Sequence, residues 1–427
     1  RLDFCSWFRP TLNFKNYIKD DRVNWDDILN SNDYRISRRN MLNNNFQGCM
    51  SSCPMNSCTS EIVPPFKFGL DRIRNEQKKM CEITNLRSEK EIMKGWKGDV
   101  SKPMVSVSCI TYNHRHYIRD CLDGFLKQET TFPMEVLIHD DASNDGTSEI
   151  IREYARQYPR IIKPIFQYEN QFSKGVLVTF EIYSKARGKY LAVCEGDDYW
   201  TDPLKLQKQV DFMEAHPECS MSFHPVIVKH QDNSTNDYIF PHPQTHPFVF
   251  ESYFTELKHL IPFNYIQTNS VMYRWRFYDE NIEDIFPKDI LPGDWFLHLL
   301  HAEKGNIGFI NEVMAVYRRH SAGIWWEAGR NQEIFFLKNG IKHLACYKAI
   351  EQRWPDQISV QSRQITTNFA TDLIRVLFKT QNKDGLSEMK KRFPEYYDRG
   401  VAHILTLNMN LAEGLQSEKD KNTYLVQ

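Results

Sequence analysis

The sequence predicts an α/β protein, an open, mostly parallel sheet flanked by helices, with an N-terminal extension and a helical C-terminal region. Three observations predict it. Between residues 105 and 216, apolar β-branched runs alternate with segments of helical spacing, the pattern of a sheet wound with crossover helices. Two polar clusters, HDDAS and CEGDDYW, stand at the carboxyl ends of strand-like runs, where open sheets of this kind bind ligands. From residue 330 onward the apolar spacing is mostly helical.

The elements follow in order. VSVSCITYN, from Val105, alternates apolar and polar residues and is a strand. YIRDCLDGFLKQ places Ile118, Leu122, Phe125 and Leu126 on one helical face. MEVLIHDD is the next strand, ASNDGT a turn, and SEIIREYARQY a helix with Ile150, Ile151, Tyr154, Ala155 and Tyr158 inward. KPIFQY is a short strand. VLVTFEIYSKARG is a helix with Gly188 as its C-terminal stop. KYLAVC is a strand, after which Asp202 and Pro203 supply an N-cap and a first-turn proline for a helix to about His216. Residues 220–325 alternate less regularly, with strand-like pieces at SMSFHPVIV, SVMYRW and VMAVYRR. GDVSKP (98–103) reads as a linker, which divides the chain into 1–102, 103–325 and 326–427.

Composition bounds the function. The 427 residues are 41% hydrophobic and 26% charged, with a formal net charge of −1, so there is no overall basic field for nucleic acid or an anionic membrane. The ten cysteines are scattered, several in apolar runs, and read as buried thiols of a reducing compartment, which places the protein in the cytoplasm. Cys49, Cys53 and Cys58 form a C-x3-C-x4-C cluster that matches no common zinc spacing. No secretory signal and no apolar stretch of the roughly 18–20 residues of a membrane span is found.

The chemistry concentrates in a few places. EGDDYW gathers Glu195, Asp197 and Asp198 just past a buried strand. Hard cations such as Mn2+ or Mg2+ take one or two such carboxylates together with substrate phosphates; the plain alternative is a solvated turn before the next helix. Asp140 and Asp141 form a second strand-end pair that can accept an N–H from a nucleotide base, although Asx-rich turns are common. Thr111, Tyr112 and Asn113, in ITYNH, can stack on and bond a base, or are an ordinary strand exit. Asp294, between Gly293 and Trp295, is either an N-cap or a general base for an attacking hydroxyl. Arg318, Arg319 and His320 can neutralise phosphate oxygens, and His320 can join a metal shell. Trp325 and Trp326 either stack on a sugar or pack internally.

Taken in order, VSVSCITYN, LIHDDASNDGT, GKYLAVCEGDDYWTDPLKLQKQVDFMEAHPE, GDWFLHLL and YRRHSAGI resemble the family 2 glycosyltransferases with a GT-A fold, bacterial type, over residues 103–325. The resemblance implies a hexosyl- or N-acetylhexosaminyltransferase that inverts configuration, takes its sugar from a nucleotide-sugar, most often a UDP-sugar, and uses Mn2+ or Mg2+. It implies that Asp140 or Asp141 contacts the base and Tyr112 the nucleotide. Asp197 and Asp198 match the D-x-D region with its ribose and metal contacts, Asp294 the catalytic base, and His320 a position that assists metal or diphosphate. The acceptor is expected to be a hydroxyl of a glycan or lipid-linked glycan, which by family analogy would suit an enzyme at the inner membrane face. The sequence departs from the family pattern at Glu195, which stands where the first acid of D-x-D usually is, and in ENQFSKGVLVTF. Two rival readings are a nucleotidyltransferase, which attacks phosphorus, and a non-catalytic carbohydrate-binding protein.

Overall fold

The computed structural model describes residues 86–275, 282–326, 328 and 330–407, with the pair Ile18–Lys19 and Arg22–Val23. The chain divides into two compact units, Arg1–Phe66 and Lys67–Gln427. In the first, Ile18–Lys19 and Arg22–Val23 pair antiparallel. Cys49, Cys53 and Cys58, most of the helical segment before residue 86, and the tail after 407 lie outside the described residues.

In the second unit, helix α1 (Glu89–Met93) opens with a capping box between Ser88 and Glu91, which satisfies two of the free N–H groups of its first turn. Its Ile92 is buried in the main core, with Leu86, Met93 and Trp96 packed alongside. Packing therefore begins upstream of the boundary expected at 103. The strands and helices then alternate as expected: β1 (Val105–Thr111), α2 (Ile118–Leu126), β2 (Met134–Asp140), α3 (Thr147–Gln157), β3 (Ile162–Phe166), α4 (Val178–Lys185), β4 (Tyr190–Val193), the short β5 (Tyr199–Trp200) and α5 (Lys205–Ala215). SMSFHPVIV is two strands, β6 (Cys219–Phe223) and β7 (Val226–His230). Pro225 has no N–H for a ladder, and the two halves enter different sheets. After β8 (Tyr238–Phe240), α6 (Pro247–Ser252), β9 (Phe254–Thr255), α7 (Leu257–Leu260), β10 (Met272–Tyr273) and α8 (Ile282–Ile285) come α9 (Gly293–Ala302), β11 (Asn306–Phe309) and β12 (Ala315–Arg319). The helices α10 (Gln332–Arg353), α11 (Val360–Lys379) and α12 (Lys383–Arg392) and a helical run over 394–407 complete the described chain.

Eight strands form one sheet in the order β9-β11-β6-β10-β4-β1-β2-β3, with β9 and β10 running against the others. It is the open, mostly parallel, helix-flanked sheet expected. The strands β1, β2 and β4 are buried almost residue by residue, as befits a sheet covered on both faces. Register sets the site: Thr111 pairs with Asp140, so β1 and β2 end level, while β4 ends beside Ser108. The chain beyond β4 stays on β1, with the Cys194 N–H on the Ser108 carbonyl at 3.0 Å and the Gly196 N–H on that of Ile110 at 2.9 Å. A second sheet, β8-β7-β12-β5, carries the return from residue 315 past the acidic loop.

Two local expectations change. Gly188 lies beyond the end of α4 at Lys185; it lies so close to β1 that a Cβ would fall 2.4 Å from the Ser106 nitrogen. The helix after the acidic loop starts at Lys205 with Leu204 at its cap, and Asp202 instead closes a turn by accepting the Leu204 N–H at 2.8 Å. Every residue of α9 from Trp295 to Ala302 is buried, because helices α10 and α11 share its core through Cys346, Tyr347, Ile350, Trp354 and Ile365.

Candidate active site

The acidic loop is wedged between β4 and β5. Trp200 is buried against Phe125, with ring centroids 4.7 Å apart, and fixes the loop's exit. Asp198 is fully buried. One of its oxygens accepts the Arg318 backbone N–H at 2.8 Å, and the other, Oδ2, is buried without a partner. Burial, then Asp197, Cys194 and Glu195, push its carboxyl well above the ordinary range. Glu195 meets solvent and stands among other carboxylates. Burial first, then the charges of Asp197 and Asp294, raise its carboxyl to about 8. Asp197 behaves oppositely. Burial works against its charge, but His114 and His320 hold it below the usual carboxylate range.

Asp197 joins two clusters. His320 Nε2 lies 2.9 Å from its Oδ2 and His114 Nε2 3.8 Å from the same atom; Glu195 and Asp198 group with it on the other side. Of the expected metal residues, His320 and Asp198 thus belong to different clusters that share Asp197. The buried, unpartnered Asp197 Oδ1 and Asp198 Oδ2 are what a divalent cation would satisfy, since an unpaired buried acceptor costs about 1–3 kcal/mol. Carboxylate and imidazole donors suit such an ion, so the residues present fit one.

Arg318 does not reach outward as a phosphate ligand. Its side chain is 5% exposed and stacks 4.2 Å over the Tyr199 ring. It donates to the Asp197 carbonyl at 2.8 Å and pairs with Asp120. Its charge braces the acidic loop from beneath, a role that adjacency to His320 in sequence does not reveal.

At the ends of β1 and β2 the expected base contacts are distributed unevenly. Thr111 is buried and faces Gly196, where a Cβ would come within 2.6 Å of its Oγ1; only glycine lets the acidic loop approach β1 this closely. Tyr112 is 43% exposed and projects to solvent. Asn113 has φ 56°, and its amide oxygen accepts the Asn144 N–H at 3.0 Å. Both aspartates are already bonded internally. Asp140 accepts from the Ser143 hydroxyl at 2.5 Å and from Ser148. Asp141 holds the Gln171 and Phe172 backbone N–H groups at 2.7 and 3.0 Å.

Asp294 lies in the first turn of α9, with Pro292 at the cap position, so it is not the N-cap. The Thr268 hydroxyl donates to its Oδ2 at 2.7 Å. The turn Thr268–Ser270 ties α9 to the strands that flank the acidic loop. The carbonyl of Asn269 accepts from Trp200 Nε1 at 2.9 Å, and its side-chain amide donates to the Val316 carbonyl at 2.9 Å. The N–H of Val193, two residues before Glu195, donates to the Val271 carbonyl at 3.3 Å. The charge of Asp294 adds to burial and Asp197 in raising the Glu195 carboxyl. Nothing in the sequence around TNS marked this turn. Trp325 packs on Phe335 at 5.6 Å between ring centroids and Trp326 lies under Arg330 at 3.8 Å, so both tryptophans make internal contacts.

The model of glycosyl transferase family 2 matches residues 106–325. An uncharacterized protein of Mycobacterium tuberculosis is 45% identical over 237 residues, 55% of this chain and 64% of its own length. An uncharacterized glycosyltransferase of Nostoc sp. is 27% identical over 222 residues, 51% of this chain and 65% of its own. The chain thus spans less than two thirds of the length of these relatives. Among solved structures, S. aureus TarS 1–349 in complex with UDP-GlcNAc is 17% identical and covers 73% of this chain and 92% of its own, with a TM-score of 0.45.

Proposed function

The chain belongs to glycosyl transferase family 2, and we propose that it is a glycosyltransferase that moves a sugar from a nucleotide-sugar, a UDP-sugar above all, to a hydroxyl of a glycan or lipid-linked glycan, with inversion at the anomeric carbon and Asp294 as general base. The observation that supports this reading is that one turn, Thr268–Ser270, bonds Asp294 on one side and Trp200 and Val316, which flank the acidic loop, on the other. A direct displacement needs a base and a diphosphate site on opposite sides of one anomeric carbon, and the reading assigns Asp294 and the acidic loop to those two parts.

The chain's residues divide the work. Asp294 accepts the Thr268 hydroxyl on Oδ2 at 2.7 Å and the Trp295 N–H on Oδ1 at 2.8 Å, which fixes its carboxylate and leaves lone pairs on both oxygens for the acceptor. It takes the acceptor's hydroxyl proton as the oxygen bonds to the anomeric carbon. The bond from that carbon to the diphosphate breaks, and the electron pair leaves on the phosphate oxygen. The logic follows that of inverting glycosidases, in which a carboxylate activates the nucleophile across the ring. Tyr112, exposed at the end of β1, offers a face to the nucleotide. Asp140 and Asp141 hold the loops beside the nucleotide, and Asp141, which accepts one loop N–H on each oxygen, keeps a lone pair on each for a base N–H. Asp197, Asp198 and His320 would hold Mn2+ or Mg2+, which neutralises charge on a departing diphosphate.

Asp294→Asn tests the reading. Turnover is expected to fall about 10²–10⁴-fold, the usual worth of a positioned base, with donor affinity unchanged in a separate binding measurement. Near-normal turnover overturns the assignment, and release of pyrophosphate rather than UDP would make the protein a nucleotidyltransferase.

A further inference from the structure

The end of β1 brings to the acidic loop a side chain to which the reaction above gives no role. His114 follows Asn113, whose left-handed backbone turns the chain back toward Asp197. Its Nε2 lies 3.8 Å from Asp197 Oδ2, and its ring stands edge-on to His320, 6.1 Å away at 89°. One ligand atom from each of His114, Asp197 and His320 lies within 4.8 Å of the others. The side chains of His114, Asp197 and His320 are 17%, 16% and 5% exposed, so water reaches them poorly. Nδ1 of His114 is buried without a partner, as are Asp197 Oδ1 and Oδ2 of the fully buried Asp198 beside it.

Two imidazoles and a carboxylate are a different donor set from the all-oxygen shell that Mg2+ prefers. Magnesium gives up its waters reluctantly and takes oxygen, whereas imidazole nitrogen binds the first-row transition-metal dications, Mn2+ the most weakly of that series. Donor atoms sharing an ion with bonds of about 2.0–2.2 Å sit roughly 3–4 Å apart, and the two contacts to Asp197 Oδ2, at 2.9 and 3.8 Å, span that range. Gly196 keeps the space open, since a Cβ there would stand 3.1 Å from His114 Nδ1.

We propose that His114 is a metal ligand of this protein, and that with His320 and Asp197 it makes the cation site a two-imidazole site that selects a transition-metal dication such as Mn2+ over Mg2+. The proposal rests on the metal-dependent reading of the cleft. The rival is a purely structural contact, in which the two histidines hold the Asp197 carboxylate and no ion enters between them.

The test uses the full chain and Mn2+ alone. Electron spin echo spectroscopy of bound Mn2+ reads nitrogen couplings from directly bonded imidazole. Two imidazole couplings are expected in the wild type and one in His114→Gln, with Mn2+ affinity in the variant lower by about 10–100-fold and Mg2+ affinity changed less than about threefold. Counting two imidazoles in the wild type needs no variant, so misfolding of His114→Gln leaves the test intact. Mn2+ that binds with one nitrogen coupling, unchanged in His114→Gln, overturns the His114 assignment and leaves the glycosyltransferase reading standing. A wild type that binds neither ion, with or without UDP, overturns the metal site itself. Mg2+ binding tighter than Mn2+ overturns the selectivity.

Discussion

Lys205 holds an ammonium group away from water, directly beneath the acidic loop. It is fully buried, its Nζ donates to Gln209 Oε1 at 2.6 Å, and it lies 4.1 Å over the Trp200 ring. Burial lowers its pKa from 10.5 to about 7, with Cys194 and Asp202 pulling the other way. The sign follows from linkage. Between about pH 7 and 10.5 the unfolded chain binds the proton that the folded one has lost, so stability rises with pH in that window. Below about pH 7 both states are protonated and the slope vanishes. Relative to Lys205→Met, the wild type should gain up to roughly 1.4 kcal/mol per pH unit across the window. Urea midpoints at pH 7, 8 and 9 check this; a constant difference would mean that the ring and Gln209 keep the charge. In the sequence, TDPLKLQKQ shows Lys205 as one charge among several at a helix start, and nothing local tells that the loop folds over it.

At the scale of elements, the loop after β3 depends on a carboxylate at the end of the neighbouring strand. Asp141, just past β2, accepts the Gln171 and Phe172 N–H groups, and this arrangement leaves Tyr168 and Phe172 exposed at the surface. Charged hydrogen bonds of this kind contribute about 1.5–3 kcal/mol each. In Asp141→Ala the amides of residues 168–177 should exchange with solvent at least about tenfold faster, while β1 and β2 keep their protection. Unchanged exchange would show that the loop is held by its own contacts. The strands themselves were legible, because a two-residue period and β-branched runs report burial directly. The loop tie was not, because a pair of aspartates at a strand end reads the same whether it faces a ligand or a neighbouring backbone. Thr268–Ser270 is the same case: its side chains bond α9 and β12 and the Asn269 carbonyl takes the Trp200 Nε1–H, and polarity in a sequence does not name its partner.

At the scale of the molecule, α9 and its Asp294 stand on the C-terminal helices. The Leu291 N–H donates to the Lys342 carbonyl at 3.1 Å, Cys346 contacts the Pro292 carbonyl, and Trp295 meets Tyr347 edge-on at 5.6 Å. A chain ending after residue 329 would lose five buried side chains from the core that contains Trp295 and Phe296. At about 1.5–3 kcal/mol for each large apolar side chain, that loss rivals the ~5–15 kcal/mol of a whole domain. The truncated chain should bind the dye ANS and lose its cooperative thermal transition. A sharp melt near that of the full chain would show that the helices are an appendage. No helix among the described residues is long and apolar enough to cross a membrane.

The sequence by itself determined the alternation of strands and helices, the strand ends at which the polar clusters stand, and the order of motifs that names the family. These are properties of neighbours along the chain, set by periodicity and burial. Only the tertiary structure decided that Arg318 braces the acidic loop, that Thr268 orients Asp294, and that His114 and His320 close on Asp197 from two strands. Each depends on register between strands far apart in sequence, and register is a property of the folded sheet that no local pattern encodes.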